Sequence, residues 1–205
     1  MTDELGSWGH ALRRLQREPH LLLPAFIAWL NGWRYKIWYA FLFKKFKAGP
    51  MFRVYGKLII TGPGAVEFGR NCLIISNAIK PVCIRTLSPQ AKVSLGDSAG
   101  LNGSSLQCSN KIEIGELTNI ADAYITDSSA HGVGVDRRLD SIVDQVASTV
   151  VIGRNVWVSV QVVILHGVII GDNSVIGAAS LVRGDVPANS FMAGNPLRLI
   201  RKINE

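Results

Sequence analysis

Branched aliphatic residues recur at a fixed spacing in the C-terminal part of the chain. Six of them stand six residues apart, at Ile152, Val158, Ile164, Ile170, Ile176 and Val182, and glycine follows at Gly153, Gly171 and Gly177. A period of six matches neither the α-helix, with 3.6 residues per turn, nor strand alternation, with a period of 2. It predicts coils of three short strands and three corners, about eighteen residues each, with the aliphatic side chain inward and a small or turn-forming residue at the corner.

Weaker repeats of the same spacing extend the pattern toward the N-terminus. Apolar pairs six residues apart are Phe68 and Ile74, Leu95 and Leu101, and Ile114 and Ile120. Between Ile114 and Ile152 the separation is two coil lengths, and the second length is occupied by an irregular segment rich in Asp, Ser, Gly and Arg. We therefore expect a loop extruded from the coil at about residues 126–149.

The two ends of the chain depart from the repeat. Residues 7–48 contain Trp8, Trp29, Trp33 and Trp38, and apolar positions such as Ile37 and Phe41 predict an amphipathic helix that ends at Gly49–Pro50. Residues 197–203 predict a short C-terminal helix. The expected organisation is a helical, basic, tryptophan-rich segment at 1–50, a repeat body at 51–187 that includes the loop, and a tail at 188–205.

Composition indicates a folded body and places most of the charge in the N-terminal segment. Hydrophobic residues make up 48% of the chain and charged residues 18%, which excludes a disordered protein. Of the net charge of +7, residues 1–50 supply +5, from eight basic and three acidic residues, and the other 155 residues supply +2. The body is therefore nearly neutral and lacks the basic surface of a nucleic-acid-binding protein, so we expect no nucleic-acid partner.

The cysteines and the N-terminal sequence predict a cytoplasmic protein. Cys72, Cys83 and Cys108 are odd in number and form no closely spaced pair, which favours reduced thiols. Acidic residues precede the first apolar stretch and no small-residue cleavage site follows it, so we expect no secretory leader. The apolar run from Leu21 to Leu30 contains Pro24 and is about half as long as a membrane-spanning helix must be.

The second half of the chain, from Ile112 to Ile203, resembles a known enzyme family. The residues that carry the resemblance are NVW at 155–157, IIGDNSVIGAAS at 169–180 and DVPANSFMAGNP at 185–196, with IEIG at 112–115 and ITDSSAH at 125–131. They are similar to motifs of the hexapeptide-repeat acyltransferases. Among these, the sequence is most similar to the maltose, galactoside and nodulation-factor O-acetyltransferases and to the O-acetyltransferases of bacterial surface-polysaccharide synthesis.

The resemblance implies a fold, an assembly and a reaction. The fold class would be all-β, a left-handed parallel β-helix with an N-terminal helical appendage and a short C-terminal helix. The assembly would be a homotrimer with active sites between adjacent subunits. The reaction would transfer an acetyl group from acetyl-CoA to a hydroxyl of a saccharide acceptor, without a metal, in surface polysaccharide or lipopolysaccharide biosynthesis.

The resemblance also assigns the catalytic base. His131 lies six residues after Ile125, where the family places its catalytic histidine, and an imidazole titrates near neutral pH, as a base for acyl transfer should. Asp127 is the nearest candidate to orient it. Relatives often read D-x-D-x-H, but Ser129 replaces the second acid, so a backbone carbonyl is an alternative orienting group. His10, His20 and His166 are interpreted as surface residues.

Candidate acceptor and donor residues follow from the same resemblance. For the acceptor they are Asn102, Trp157 and Arg137, with packing as an equal interpretation for Trp157 and a solvated charge as the alternative for Arg137. For acetyl-CoA they are the small residues Ser159, Ala178, Ala179 and Ser180 beside the pantetheine arm, and Arg183, Arg198 and Arg201 near the CoA phosphates, where guanidinium groups are favourable. Solvated surface charge is the alternative for these arginines.

Several other functions remain open on the sequence alone. The same fold could transfer an acyl group to the amine of an amino sugar or a xenobiotic, or form a non-catalytic trimeric scaffold. A γ-type carbonic anhydrase needs three histidine ligands for zinc, and only His131 and His166 lie in the body. A nucleotidyltransferase needs a preceding nucleotide-binding domain, for which about fifty residues are too few.

The N-terminal segment has two interpretations. Its tryptophans and leucines could cover the open end of the coil. Alternatively, its basic aromatic face could lie on the anionic inner membrane, as a peripheral contact. The first interpretation is favoured, because apolar side chains at helical spacing more often pack against protein.

Overall fold

The computed structural model describes residues 18–42, 45–76, 80–129, 135 and 147–203. In these residues a 3₁₀ turn, Pro19–Leu21, leads into the helix α1, Leu22–Leu42, which confirms an N-terminal helix. Within the described ranges, twenty short strands follow, β1 to β20. The predicted helix end at Gly49–Pro50 is wrong, because residues 46–48 already form a strand of the first coil, in which Phe46 is buried and pairs with Val66. Within the same residues, neither helical segment has the length and hydropathy that are needed to cross a bilayer.

The strands form three sheets that the chain visits in turn. Sheet A contains β1 (Phe46–Ala48), β4 (Ala65–Phe68), β7 (Lys92–Leu95), β10 (Lys111–Ile114), β13 (Val150–Ile152) and β16 (Ile169–Ile170). Sheet B contains β2 (Arg53–Tyr55), β5 (Leu73–Ile75), β8 (Gly100–Asn102), β11 (Asn119–Ala121), β14 (Trp157–Val158), β17 (Val175–Ile176), β19 (Ser190–Ala193) and β20 (Arg198–Lys202). Sheet C contains β3 (Leu58–Thr61), β6 (Val82–Thr86), β9 (Ser105–Cys108), β12 (Tyr124–Thr126), β15 (Val163–Ile164) and β18 (Leu181–Val182).

Except for the last pair in sheet B, β19 and β20, neighbouring strands in each sheet are parallel and in register, so each coil stacks on the one before. Ile152 pairs with Ile170, Val158 with Ile176 and Ile164 with Val182, one coil apart. The architecture is therefore a three-sided parallel β-helix, as the period of six predicted. Each sheet contributes one strand per coil, and the corners supply the change of direction.

The interior of the coil consists of the residues that define the repeat. The six aliphatic residues from Ile152 to Val182 are each at most 1% exposed. The weaker upstream pairs are also buried, with Phe68 the most exposed at 4%. The prediction that these side chains point inward is confirmed, and their burial is the main apolar contribution to stability.

The corner glycines allow coils to stack closely. A Cβ atom at Gly153 would lie 2.9 Å from the amide nitrogen of Asp172 in the next coil, and one at Gly171 would lie 2.7 Å from the Cα of Ala188. The left-handed backbone conformation occurs two residues later, at Asn155 and Asn173, with φ of 53° and 57°. Asparagine tolerates this conformation better than most residues. At each of these corners the glycine therefore allows close stacking, and the asparagine adopts the left-handed conformation.

The predicted C-terminal helix is wrong. Arg198–Lys202 forms the strand β20, which pairs antiparallel with β19. The last parallel strand presents unpaired backbone groups at its edge, and the returning chain supplies partners for them. A helix of about seven residues would have little stability of its own, so this pairing decides the conformation.

The helix α1 lies against the first coil and satisfies backbone groups there. The amide of Leu58 donates to Tyr35 Oη at 3.0 Å, and the amide of Ile60 donates to Tyr39 Oη at 3.0 Å. The Asn31 side chain donates to two further carbonyl oxygens of the coil, at 3.0 and 3.1 Å. This side of α1 therefore covers the N-terminal end of the β-helix.

Candidate active site

Asp127 is a buried carboxylate that binds a backbone turn of the preceding coil. Its Oδ1 accepts a hydrogen bond from the amide of Ser109 at 2.7 Å, and its Oδ2 accepts from the amides of Asn110 at 2.7 Å and Lys111 at 2.8 Å. The Cys108 thiol donates to Oδ2 at 3.3 Å. The side chain is fully buried, so these four donors compensate for its lost hydration.

The base of the loop after β12 is fixed to the coil. Ser128 and Ala147 form an antiparallel bridge, and the amide of Ser148 donates to the Asp127 carbonyl oxygen at 2.9 Å. β12 ends at Thr126 and β13 begins at Val150, the ends at which the sequence predicted the loop. His131 and Arg137 fall between these anchors and lie outside the described residues.

A cleft of about 190 Å³ opens on the outer face of sheet B. Two columns of outward-facing residues, one per coil, line it. The first column is Leu73, Gly100, Asn119 and Trp157, and the second is Ile75, Asn102 and Ala121. Asn102 and Trp157, the two predicted acceptor residues that the structure describes, thus line the same cleft.

Small residues create the cleft between larger neighbours. Gly100 has no side chain, and a Cβ atom there would lie 2.7 Å from Asn119 Oδ1. Trp157 is 56% exposed at one end of the column, so its ring forms a wall rather than part of the core. The cleft combines an aromatic surface with side-chain amides, a combination that suits a polar ligand with apolar faces.

Asn119 is a polar cleft residue that the sequence did not single out. The same is true of the apolar and small cleft residues Leu73, Ile75, Gly100 and Ala121. Asn119 pairs with Gly100 on one side and Trp157 on the other. The signal was present in the repeat, because Asn119 directly precedes the inward residue Ile120, just as Trp157 precedes Val158. Residues at that position of each coil face outward from sheet B.

The predicted donor residues lie near the corner between sheets B and C. Ala178 and Ala179 are exposed, and Ala179 has a φ of 55° and donates its amide to the Val160 carbonyl oxygen at 3.0 Å. Ser159 is half-buried at the equivalent corner one coil earlier. Ser180 differs from the other three, because its side chain is buried and forms hydrogen bonds within the protein. Its Oγ donates to the Gly177 carbonyl oxygen at 2.7 Å and accepts from the amide of Gly194 at 2.9 Å.

The three predicted arginines occupy two places. Arg198 and Arg201 are exposed on β20, and Arg198 pairs with Ala193, which is next to the segment that Ser180 holds. Arg183 is exposed beyond β18, at the corner that leads from sheet C toward sheet A. The structure therefore brings Arg198 close to the donor corner, while Arg183 stands at a different corner of the coil.

The cysteines and His166 lie outside the cleft. All three cysteines are free, and burial raises the pKa of the Cys72 thiol to about 11. Burial, and secondarily the charge of Asp127, also raises the pKa of Cys108. A thiol acts as a nucleophile only when ionised, so these two are inert near neutral pH. His166 is exposed in a turn, next to Gly167 with a φ of 73°.

Sequence comparison finds the same repeat in known proteins. Residues 149–184 match the family model described as bacterial transferase hexapeptide (six repeats). The chain is 42% identical over 94 residues to galactoside O-acetyltransferase of Escherichia coli K12, covering 46% of this chain and 45% of that protein. It is 48% identical over 58 residues to the putative lipopolysaccharide biosynthesis O-acetyl transferase WbbJ of the same organism, covering 28% of this chain and 30% of that protein. The chain thus spans less than half the length of these relatives.

Structural comparison finds the same fold. The crystal structure of the hexapeptide-repeat acetyltransferase VCA0836 from Vibrio cholerae superposes with a TM-score of 0.57 at 25% identity, covering 67% of this chain and 73% of that chain. A complex of that protein with acetyl-CoA superposes with a TM-score of 0.56 at 22% identity, covering 82% and 76% of the two chains.

The parallel β-helix of stacked hexads is therefore the fold that this chain shares with the hexapeptide-repeat acetyltransferase VCA0836. Residues 149–184 of the chain thus carry the hexapeptide repeat, and the chain is similar in part to galactoside O-acetyltransferase and WbbJ.

Proposed function

We propose that the protein is an acetyl-CoA-dependent O-acetyltransferase that acts on a sugar hydroxyl in the biosynthesis of a bacterial surface polysaccharide or lipopolysaccharide. The observation that carries the proposal is the 42% identity to galactoside O-acetyltransferase over 94 residues. The similarity to WbbJ favours a surface saccharide over a free galactoside. The cleft on sheet B, lined by Trp157, Asn102 and Asn119, supplies a surface of suitable chemistry for a sugar.

His131 is the general base in this proposal. Neutral imidazole removes the proton from the acceptor hydroxyl as its oxygen attacks the thioester carbonyl, and the C–O bond forms. The C–S bond then breaks, and the thiolate leaves as CoA with the proton from the imidazolium. A backbone N–H of a neighbouring coil would stabilise the oxyanion that forms in between.

Asp127 acts in the proposal as a positioning residue. Its carboxylate already accepts three backbone hydrogen bonds and one from a thiol, all from the preceding coil. By fixing the turn at Ser109–Lys111 and the start of the loop, it would hold the chain that leads to His131, four residues further on. Arg137, in the same loop, would contact a charged acceptor such as a pyrophosphate-linked sugar.

Acetyl-CoA would lie along the corner between sheets B and C. Ala178 and Ala179 leave room there for the pantetheine arm to approach the backbone, beside Ser159. Ser180 would act indirectly, by holding Gly194 and the strand that presents Arg198. Arg198 and Arg201 would bind the CoA phosphates, and Arg183 would do so only in the context of a second subunit.

The positions of the loop and the cleft favour a shared site in a homotrimer. Within one chain the loop starts at the corner between sheets C and A, whereas the cleft lies on the outer face of sheet B. A left-handed coil in a trimer would place the loop of one subunit beside the cleft of the next. Because all three thiols are free, we also propose a cytoplasmic location for the reaction.

An acceptor screen tests the proposed activity. The protein is incubated with acetyl-CoA and a panel of sugars, nucleotide-sugars and amino sugars, and the released thiol is measured. A sugar hydroxyl is expected to accept the acetyl group. Selective acetylation of an amine would replace the proposal by N-acyl transfer. Absence of both turnover and thermal stabilisation by acetyl-CoA would identify a scaffold.

Two single histidine variants test whether His131 is the general base. His131→Ala is expected to lower kcat by about 10²–10⁴-fold, the contribution of a general base. His166→Ala is the matched control, because His166 is exposed in a turn of the same coil body and is expected to retain normal kcat. Near-normal kcat in His131→Ala would contradict the assignment.

A further inference from the structure

The outward side of α1 is a continuous apolar surface. Leu23 is 66% exposed, Ile37 69% and Phe41 85%. The other large apolar side chains on the same side of the helix are between 47% and 55% exposed, namely Leu22, Phe26, Ile27, Leu30 and Trp33. Scattered exposed apolar residues need no explanation, but a contiguous surface of this kind marks an interaction site.

This outward surface is distinct from the side that covers the coil. The buried residues of α1 are Ala28, Gly32, Tyr35 and Tyr39, at helical spacing along one side. With 100° between successive residues, Ile37 and Phe41 point about 150–170° away from that side. The outward residues therefore contribute nothing to the packing on the β-helix, and their apolar character is unexplained by the fold.

The charged residues of α1 and of the segment that follows it are basic, with Glu18 before the helix and Glu67, the ion-pair partner of Lys47, as the nearest acidic residues along the chain. From residue 19 to residue 66 the chain contains no Asp or Glu, whereas it contains Arg34, Lys36, Lys44, Lys45, Lys47, Arg53 and Lys57. Arg34 is exposed on the outward side of the helix, and Lys36 Nζ lies 4.8 Å from the centroid of the Trp33 ring. An aromatic and aliphatic surface flanked by basic side chains is complementary to a surface that is apolar inside and anionic outside.

We propose that α1 docks in the plane of an anionic lipid bilayer, with its outward side in the acyl-chain boundary and the β-helix above the headgroups. The aromatic residues would occupy the interface, where their rings are most favourable. A second copy of this chain is a poorer occupant, because a symmetric helix pair would place the basic residues of both copies together. The proposal does not depend on the proposed acetyl transfer.

Vesicle sedimentation with the full-length protein tests the proposal. Vesicles of phosphatidylcholine alone are compared with vesicles that contain phosphatidylglycerol, at low and high salt. The wild-type protein is expected to bind the anionic vesicles and to lose most binding at 1 M salt, where the Debye length is about 3 Å. The double variant Ile37→Ser/Phe41→Ser is expected to bind at least about tenfold more weakly, because it removes apolar area that enters the bilayer.

Two further variants separate apolar and charge contributions. Arg34→Gln and Lys36→Gln are each expected to weaken binding about fivefold, from the attraction of one basic residue to an anionic leaflet. Ile169→Ser is the matched control, because Ile169 is 53% exposed on sheet A, away from α1, and its loss should leave vesicle binding unchanged. Thermal melting of every variant confirms that it is folded.

The outcomes distinguish a bilayer from the other partners that could cover the outward side of α1. Failure of the wild-type protein to bind anionic vesicles would overturn the proposal, as would equal binding by wild type and Ile37→Ser/Phe41→Ser. If the double variant instead lowers the mass measured by light scattering while vesicle binding is unchanged, the occupant is a second copy. If hydrogen exchange in α1 increases only when residues 1–17 are altered, that segment covers the surface, and the proposal is also wrong.

Discussion

The inner and outer faces of the β-helix follow different rules. Inside, all three sheets present the same kind of residue at the same spacing, as in Ile152, Val158 and Ile164, because each must fit the same stack. Outside, the sheets differ. Sheet A carries the ion pairs Lys47–Glu67 and Lys92–Glu67, whereas sheet B carries the cleft with Trp157. The repeat therefore determines the fold, and the outward positions are free to carry function.

Among the buried residues that the structure describes, Asp127 is the only acidic or basic one, and its removal should have the largest effect on stability. Asp127→Ala leaves three backbone amides and a thiol without their partner, so we expect the free energy of unfolding to fall by about 4 kcal/mol. Asp172→Ala is the control, because Asp172 is exposed and its Oδ1 accepts one amide hydrogen bond, from Arg154, in the same way. Urea unfolding measures both. Equal losses would show that Asp127 has no special structural role.

Two adjacent isoleucines on β16 test the inside–outside distinction directly. Ile170 is 1% exposed and Ile169 is 53% exposed. Ile170→Ala is expected to lower the free energy of unfolding by about 3 kcal/mol, because it removes buried methyl groups and leaves a cavity. Ile169→Ala is expected to change it by less than about 0.5 kcal/mol. A loss at Ile169 that approaches the loss at Ile170 would mean that the outer face of sheet A is buried in an assembly.

Much of this distinction could be predicted from the sequence. The period of six identified the inward residues from Ile152 to Val182 and three apolar pairs upstream, because burial repeats with the coil. The inward residues of the first coil were not identified. Contacts between residues of different coils were harder to predict. Asp127 binds amides 16 to 18 residues earlier, and Asn119 completes the cleft through neighbours in two other coils. Such contacts depend on the register of stacking rather than on local spacing.

The C-terminal strand shows where the pattern was insufficient. Arg198–Lys202 has no long periodicity, so its conformation is decided by the open edge of β19 beside it. For α1 the sequence predicted an amphipathic helix, but the structure has apolar residues on both sides. One side packs on the coil, and the other is exposed. A hydrophobic pattern alone does not distinguish the two sides.

The ion pairs of sheet A should have the smallest effect. The hydrogen bond and charge of Lys92 lower the pKa of Glu67, so this carboxylate adds stability above its unfolded pKa of about 4.3, and that stability is lost as pH falls through the lowered folded pKa. Because both side chains are partly exposed to solvent, Glu67→Gln should cost less than about 1 kcal/mol at pH 7. The difference from wild type should vanish in urea unfolding near pH 3. A difference that persists there would have another cause than the ion pair.

The acceptor KM of Trp157→Ala tests the central claim most directly, namely that the outer face of sheet B binds the sugar. Trp157 is 56% exposed, so its loss should leave the melting temperature nearly unchanged. With an acceptor from the screen, we predict an increase of about tenfold in the acceptor KM, an unchanged KM for acetyl-CoA, and no change in Ile169→Ala. An unchanged acceptor KM in Trp157→Ala, or an equal increase in Ile169→Ala, would contradict the account.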